Sequence, residues 1–302
     1  MNNQPIFVWT VGESSAHSSL RAFLRVQKQV SKKMLTSIKF HGGSIKVNGV
    51  EKTVRTILEE GDVVVVHLPP ESPSVGLIPE KRSFEILFED EHLLVINKEA
   101  GMATIPSREH PRGTLANAVL AYYQANQIQA TFHPVNRLDR GTSGLLIVAK
   151  HRYAHDQMGK QQKAGKLNRR YEALVQGMVE PSEGTITAPI GRNPNSIIER
   201  MVAEDGKAAV THYKTITTGT EITHVSIALE TGRTHQIRVH FSSIGHPLAG
   251  DTLYGGEMLG LSHQALHSCK LFFSHPFTGE EMVFEAKAPD DFLQLLAHIQ
   301  QG

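Results

Sequence analysis

The sequence predicts an α+β protein: a larger domain on a mostly antiparallel or mixed β-sheet with flanking helices, preceded by a small α/β module. Three observations point there. After residue 83, short strand-like segments outnumber long helical ones. Before residue 68, two helix patterns are followed by an Asn48-Gly49 hairpin signal. Between them, "PPESPSVGLIPEKR" holds prolines, serines and a glycine that continue neither helix nor sheet. The expected organisation is therefore a module over 1–68, a linker over 69–82 and a larger domain over 83–302.

In the module, Leu20, Phe23 and Leu24 predict a helix capped by Ser18 or Ser19, and Met34, Leu35 and Ile38 predict a second. "GGSIKVNG" and "GDVVVVHL" then read as strands. From Ser14 to Val50 every charged residue is basic: Arg21, Arg25, Lys28, Lys32, Lys33, Lys39 and Lys46. That one-sign block fits either a solvated face or a phosphate-binding footprint.

In the larger domain, "FEILFED" and "HLLVINK" read as strands around an acidic turn, and "TLANAVLAYYQ" as a helix capped by Thr114. Gly141 to Gly144 are turn residues, and the apolar run "LLIVA" after them reads as a strand buried on both faces. Arg170–Gln176, Ala208–Thr217, Thr223–Leu229, Thr234–Phe241 and Ala265–Phe273 have strand character. "PDDFLQLLAHIQQ" predicts a closing helix with two aspartates at its positive end.

Bulk properties exclude several function classes. The 302 residues carry a formal charge of +1 and contain no apolar run long enough to cross a bilayer. The start, MNNQPIFVWT, lacks the pattern of a secretory signal. One cysteine, Cys269, leaves no internal disulfide, so a cytoplasmic setting is expected. No His-Glu-x-x-His or Cys-x-x-Cys grouping, phosphate loop or G-x-S-x-G elbow occurs. Neither a metal nor a nucleotide cofactor is expected.

Three stretches could carry chemistry. In "NRLDRGTSGLLIVAK", Asp139 falls in a turn at the mouth of a buried strand, as a structural or a reactive carboxylate. In "TGRTHQIRVHF", alternation puts Arg238 in mid-strand, where it either snorkels or meets an anion. In "RRYEALVQG", Tyr171 opens a strand beside two cations, as core packing or as a platform for a base.

Taken together and in order, "RLDRGTSGLLIVAK", "RRYEALVQG" and "TGRTHQIRVHFSSIGHPLAGDTLYGG" closely resemble the signature blocks of the RluA-type RNA pseudouridine synthases. "FEDEHLLVINKEAGMATIPS" and "ALHSCKLFFSHPFTGEEMVFEAKAP" resemble that family's opening and closing blocks, so the match covers nearly all of the larger domain. The module resembles, more weakly, an S4 RNA-binding domain. This chain has Asn136 where the family usually has His, Gly141 where it usually has a polar residue, and Glu99 where it usually has Pro.

The resemblance implies an isomerase that needs no cofactor and turns specific uridines of RNA into pseudouridine after flipping the base. Asp139 matches the family's catalytic aspartate, Arg238 the basic residue paired with it, and Tyr171 the tyrosine that stacks on the target base. Arg137 matches a residue that holds the flipped-out state, with Arg140 beside it. The S4-like module would add phosphate contacts through Arg21, Arg25, Lys28, Lys32, Lys33 and Lys46. The implied partner is RNA, ribosomal rather than transfer RNA, bound by a monomer with no membrane attachment. The competing readings are an RNA-binding assembly factor with a vestigial site, and a glycoside or nucleoside hydrolase, for which Asp251 is the one further acid in these blocks.

Overall fold

The computed structural model describes residues 5–72 and 76–299. Its N-terminal sheet has the order β1-β4-β2-β3, with β1 at Ile6–Thr10, β2 at Ser44–Val47, β3 at Val50–Glu51 and β4 at Val63–His67. Two helices cover it. The first, α1 (Leu20–Ala22), starts where the Ser19 hydroxyl accepts the Ala22 amide, and runs into a π-helical turn at Phe23–Gln27. The second, α2 (Lys32–Phe40), is capped in the same way by Ser31. Leu20, Phe23, Leu24, Met34 and Ile38 pack on Ile45 and Val64 in one core. Asn48 and Gly49 both take positive φ, 50° and 80°, as a two-residue hairpin turn requires.

The larger domain is a ten-stranded mixed sheet. In chain order its first elements are β5 (Glu85–Glu89), β6 (Leu93–Lys98), α3 (Leu115–Ala125), β7 (His133–Pro134), β8 (Ser143–Ala149), α4 (Arg152–Lys163) and β9 (Asn168–Gln176). Then come β10 (Glu183–Thr187), β11 (Ile190–Arg192), β12 (Arg200–Val202), β13 (Val210–Thr218) and β14 (Ile222–Leu229). The chain closes with α5 (Gln236–Ser243), β15 (Leu266–Ser274), β16 (Glu281–Glu285) and α6 (Asp290–Ile299). The sheet order is β10-β13-β14-β9-β15-β8-β6-β5, with β16 on β15 and β7 on β8, while β11 and β12 form a separate ribbon. Only the β15–β8 pair is parallel among the described residues. Every residue of β8 is buried, as the continuous apolar run predicts. Leu146 and Val148 face one core, and Leu145, Ile147 and Ala149 face the other.

One expected strand is a helix. Thr234–Phe241 alternates polar and apolar residues, yet Gln236–Ser243 is α5. The alternation misleads because the helix is buried on every side from Gln236 to Phe241. Its polar residues face partners rather than solvent: Gln236 donates to Val210 and Thr211, and His240 meets Thr211 and the Ala188 carbonyl.

The two sheets are joined by α4 and by the segment before it. Tyr153 of α4 enters the N-terminal core, packs edge-on to Phe7 and donates to the Lys28 carbonyl at 2.5 Å. Glu71 meets His133 at 2.5 Å and accepts the Arg152 amide at 2.7 Å. Burial pushes the Glu71 carboxyl up, but the His133 and Arg152 hydrogen bonds outweigh it and hold the group down at about 2.

Candidate active site

Asp139 sits in the turn that feeds β8, and the turn is fixed from beneath. The buried Lys98 ammonium donates to the carbonyls of Glu99 and Met102, at 2.7 and 2.8 Å, and to that of Arg140 at 3.4 Å. Thr104 donates to the Leu138 carbonyl and accepts its amide. Burial pushes Lys98 down to about 7, against the pull of the Asp139 carboxylate. Gly144 takes φ +104, and a Cβ there would lie 2.3 Å from the Ser268 carbonyl oxygen, so only glycine lets β8 approach β15. The three departures from the family pattern serve this frame. Asn136 accepts the Ile147 amide at 2.9 Å, Glu99 pairs with Arg82 at 2.8 Å, and a Cβ on Gly141 would lie 2.3 Å from Gln264 Oε1.

Arg238 projects from α5, not from a strand, and lies 3.5 Å from Asp139 Oδ2. Its closer partner is Asp251, which accepts Nε at 2.6 Å and NH2 at 2.7 Å. The two carboxylates therefore share one guanidinium, and Asp251 fixes its plane. Burial works against the Arg238 charge, but the Asp251 carboxylate more than offsets it and raises the pKa. The Tyr254 ring covers the guanidinium at 4.8 Å from ring centroid to Cζ.

His235 precedes α5 in the left-handed conformation, with φ 57°. Its Nδ1 lies 2.7 Å from the Tyr254 hydroxyl and its Nε2 3.9 Å from Asp139 Oδ2. The Tyr254 oxygen also accepts the Arg200 amide at 2.9 Å. Burial lowers the His235 pKa, which favours the neutral imidazole.

Tyr171 and Arg169 are two residues apart on β9 and point to the same face. They border a cleft of about 420 Å³ that also holds Asp139, Arg137, Arg140 and Arg238. Among the described residues Asp139 is the one carboxylate in its wall, against five arginines, the fifth being Arg233. Arg137 is exposed, and Arg140 donates to the Gly101 carbonyl at 3.0 Å. The cations of the module lie apart from the cleft. Arg21, Lys32 and Lys33 are exposed, and Lys46 is half-buried. Arg25 donates to the Val30 carbonyl, and Lys28 lies over the Trp9 and Phe23 rings. The residue patterns do not point to Lys98, His235 or Tyr254, and they mark Arg169 only as one of two cations beside Tyr171. Asp251 was visible only as a second acid, and nothing local to it shows that it would hold Arg238.

A family model for RNA pseudouridylate synthase matches residues 92–243, a span running from β6 through α5. An uncharacterized RNA pseudouridine synthase of Bacillus subtilis is 51% identical over 267 residues, covering 88% of this chain and 94% of that protein. The chain belongs to the RNA pseudouridine synthase family. It is thus an isomerase, and a relative in Pseudomonas aeruginosa, named ribosomal large subunit pseudouridine synthase D, is 40% identical over 86% of this chain and 85% of its own length. The solved structure of human RNA pseudouridylate synthase domain containing 4 shares the synthase fold, with TM-score 0.58 and 21% identity over 71% of this chain and 92% of that one. No helix among the described residues is long and apolar enough to cross a membrane.

Proposed function

We propose that the synthase isomerises specific uridines of large-subunit ribosomal RNA, with Asp139 as the catalytic carboxylate. The observation that carries this reading is the cleft wall: a single acid, Asp139, held 3.5 Å from Arg238 among arginines suited to a polyanion. Isomerisation breaks the N1–C1′ bond, turns the uracil and joins C5 to C1′. The C5 hydrogen leaves as a proton and N1 gains one, so no oxidant or energy source enters the balance. Asp139 acts at the sugar, as nucleophile at C1′ or as base at C2′. Arg238 keeps it ionised and oriented. Tyr171 stacks on the flipped uracil and assists loss of the C5 proton, and Arg137 fills the space the base leaves in the RNA.

Residues 1–68 act as an S4-like RNA-binding module, joined by a linker at 69–82 to a catalytic domain at 83–302. Arg21, Arg25, Lys28, Lys32, Lys33 and Lys46 supply its phosphate contacts, as Arg137 and Arg140 do at the cleft mouth. The chain acts as a monomer in this reading, and the unpaired cysteine supports a cytoplasmic setting. Relatives such as the Pseudomonas large-subunit enzyme support ribosomal over transfer RNA.

The test maps pseudouridines in ribosomal and transfer RNA from cells with the gene, without it, and with Asp139→Asn in its place. The expected result is one or more ribosomal positions that vanish both without the gene and with the variant. Sites confined to transfer RNA would overturn the substrate, and retention of the sites by Asp139→Asn would overturn the mechanism.

A further inference from the structure

The mechanism above leaves two arginines of the cleft unused, and of these Arg233 already donates its Nε to the Ala208 carbonyl at 2.9 Å. Arg169 is 7% exposed, and its Nε is buried without a hydrogen-bond partner. Among the described residues no carboxylate forms an ion pair with it, whereas Arg238, equally buried, holds two. A buried cation without a counter-charge is costly, and a protein keeps one where a ligand supplies the anion. The surroundings of Arg169 keep its fork open. Gly232 faces it, and a Cβ built there would lie 3.3 Å from both NH1 and NH2. Its strand neighbour on the same face is Tyr171, and Gln162 of α4 borders the same part of the cleft.

Resting on the proposed function, we infer that Arg169 binds a backbone phosphate of the RNA next to the target uridine, with its guanidinium fork on the non-bridging oxygens. The charge argument selects phosphate over a uracil carbonyl, because only the phosphate neutralises the buried cation. The planar fork matches two phosphate oxygens at once. With Tyr171 on the base and Arg169 on the adjoining phosphate, the nucleotide would be held at both ends while Asp139 reaches the sugar.

The experiment uses the full chain and an unmodified large-subunit ribosomal RNA transcript. Pseudouridine formation by the otherwise unaltered enzyme is the control. Its absence would overturn the reading on which the inference rests, and the inference with it. Binding is then measured against salt in an Asp139→Asn background, which prevents turnover. Arg169→Met should weaken binding about tenfold and flatten the salt dependence by about one counterion. Arg169→Lys should keep the salt dependence but lose part of the affinity. Gly232→Ala, which crowds the fork without removing charge, should weaken binding with an unchanged melting temperature. An unchanged salt dependence in Arg169→Met would overturn the assignment, and unaltered binding with a fall in turnover when Arg169→Met is made in the enzyme that keeps Asp139 would move Arg169 to the base. A lowered melting temperature with unaltered RNA binding would make it a structural residue.

Discussion

In the cleft, Arg238 is buried, paired with two carboxylates and covered by a tyrosine ring, which together set the plane of its guanidinium. In the N-terminal module, Lys32 and Lys33 stand exposed at the start of α2 with no such partners among the described residues. Both regions are basic, but they use charge differently. In the proposed function the first holds a reactive carboxylate in one orientation, which requires burial and geometry. In the same reading the second offers exposed positive charge to a phosphate chain, which requires only sign and exposure. Removing a group should therefore damage the rate in the first region and the affinity in the second.

The sharpest break in that contrast is Asp139→Asn. Turnover should fall by at least about three orders of magnitude, while RNA affinity stays within a few-fold. Single-turnover assays beside filter binding measure both, and a matching loss of affinity would erase the distinction. Asp251→Asn should come next. It leaves the buried Arg238 charge half-compensated and should cost about 3 kcal/mol of stability, read from denaturant midpoints. Asp139 is then the remaining carboxylate for Arg238, so activity should fall as well. In the module, changing Arg21, Lys32 and Lys33 together to Gln should raise KM about tenfold at physiological salt, with kcat unchanged. A loss of kcat instead would mean that the module shapes the cleft.

The smallest effect is expected at the joint. Glu71→Gln should destabilise by about 1 kcal/mol at neutral pH. The folded carboxyl is held down near 2 from its usual 4.5, so its stabilisation is fully present above 4.5 and fades as pH falls toward 2. Melting curves of the two proteins should therefore converge across that interval, and a constant gap would show that charge is not what Glu71 contributes.

Much of the fold could be read from local pattern. The Asn48-Gly49 turn, the Thr114 cap and the uniformly apolar β8 each announce themselves within a few residues. What escaped is non-local. The α4 helix contains few apolar residues, and Tyr153 earns its burial from a core more than a hundred residues earlier in the chain. The α5 helix reads as a strand because partners from β13, the Ala188 carbonyl and Asp251 make its polar positions as buried as its apolar ones. The site follows the same division. Family blocks brought Asp139, Tyr171 and Arg238 together as an expectation, and their side chains do share one cleft. That Arg238 leans on Asp251 more closely than on Asp139 depends on a loop folding back over α5, which no spacing in the sequence encodes.

Helix α4 touches both regions. Tyr153 locks into the N-terminal core near its start, Lys160 donates to the Gln29 carbonyl, and Gln162 borders the cleft near its end. Tyr153 and Gln162 are nine residues apart, a rise of about 14 Å along a rigid rod. An RNA gripped by the module and inserted into the cleft would thus be measured against a fixed gauge. Selection of a uridine would then depend on its distance from the gripped phosphates as well as on its neighbouring bases, and lengthening α4 by one turn should shift the modified position rather than abolish modification.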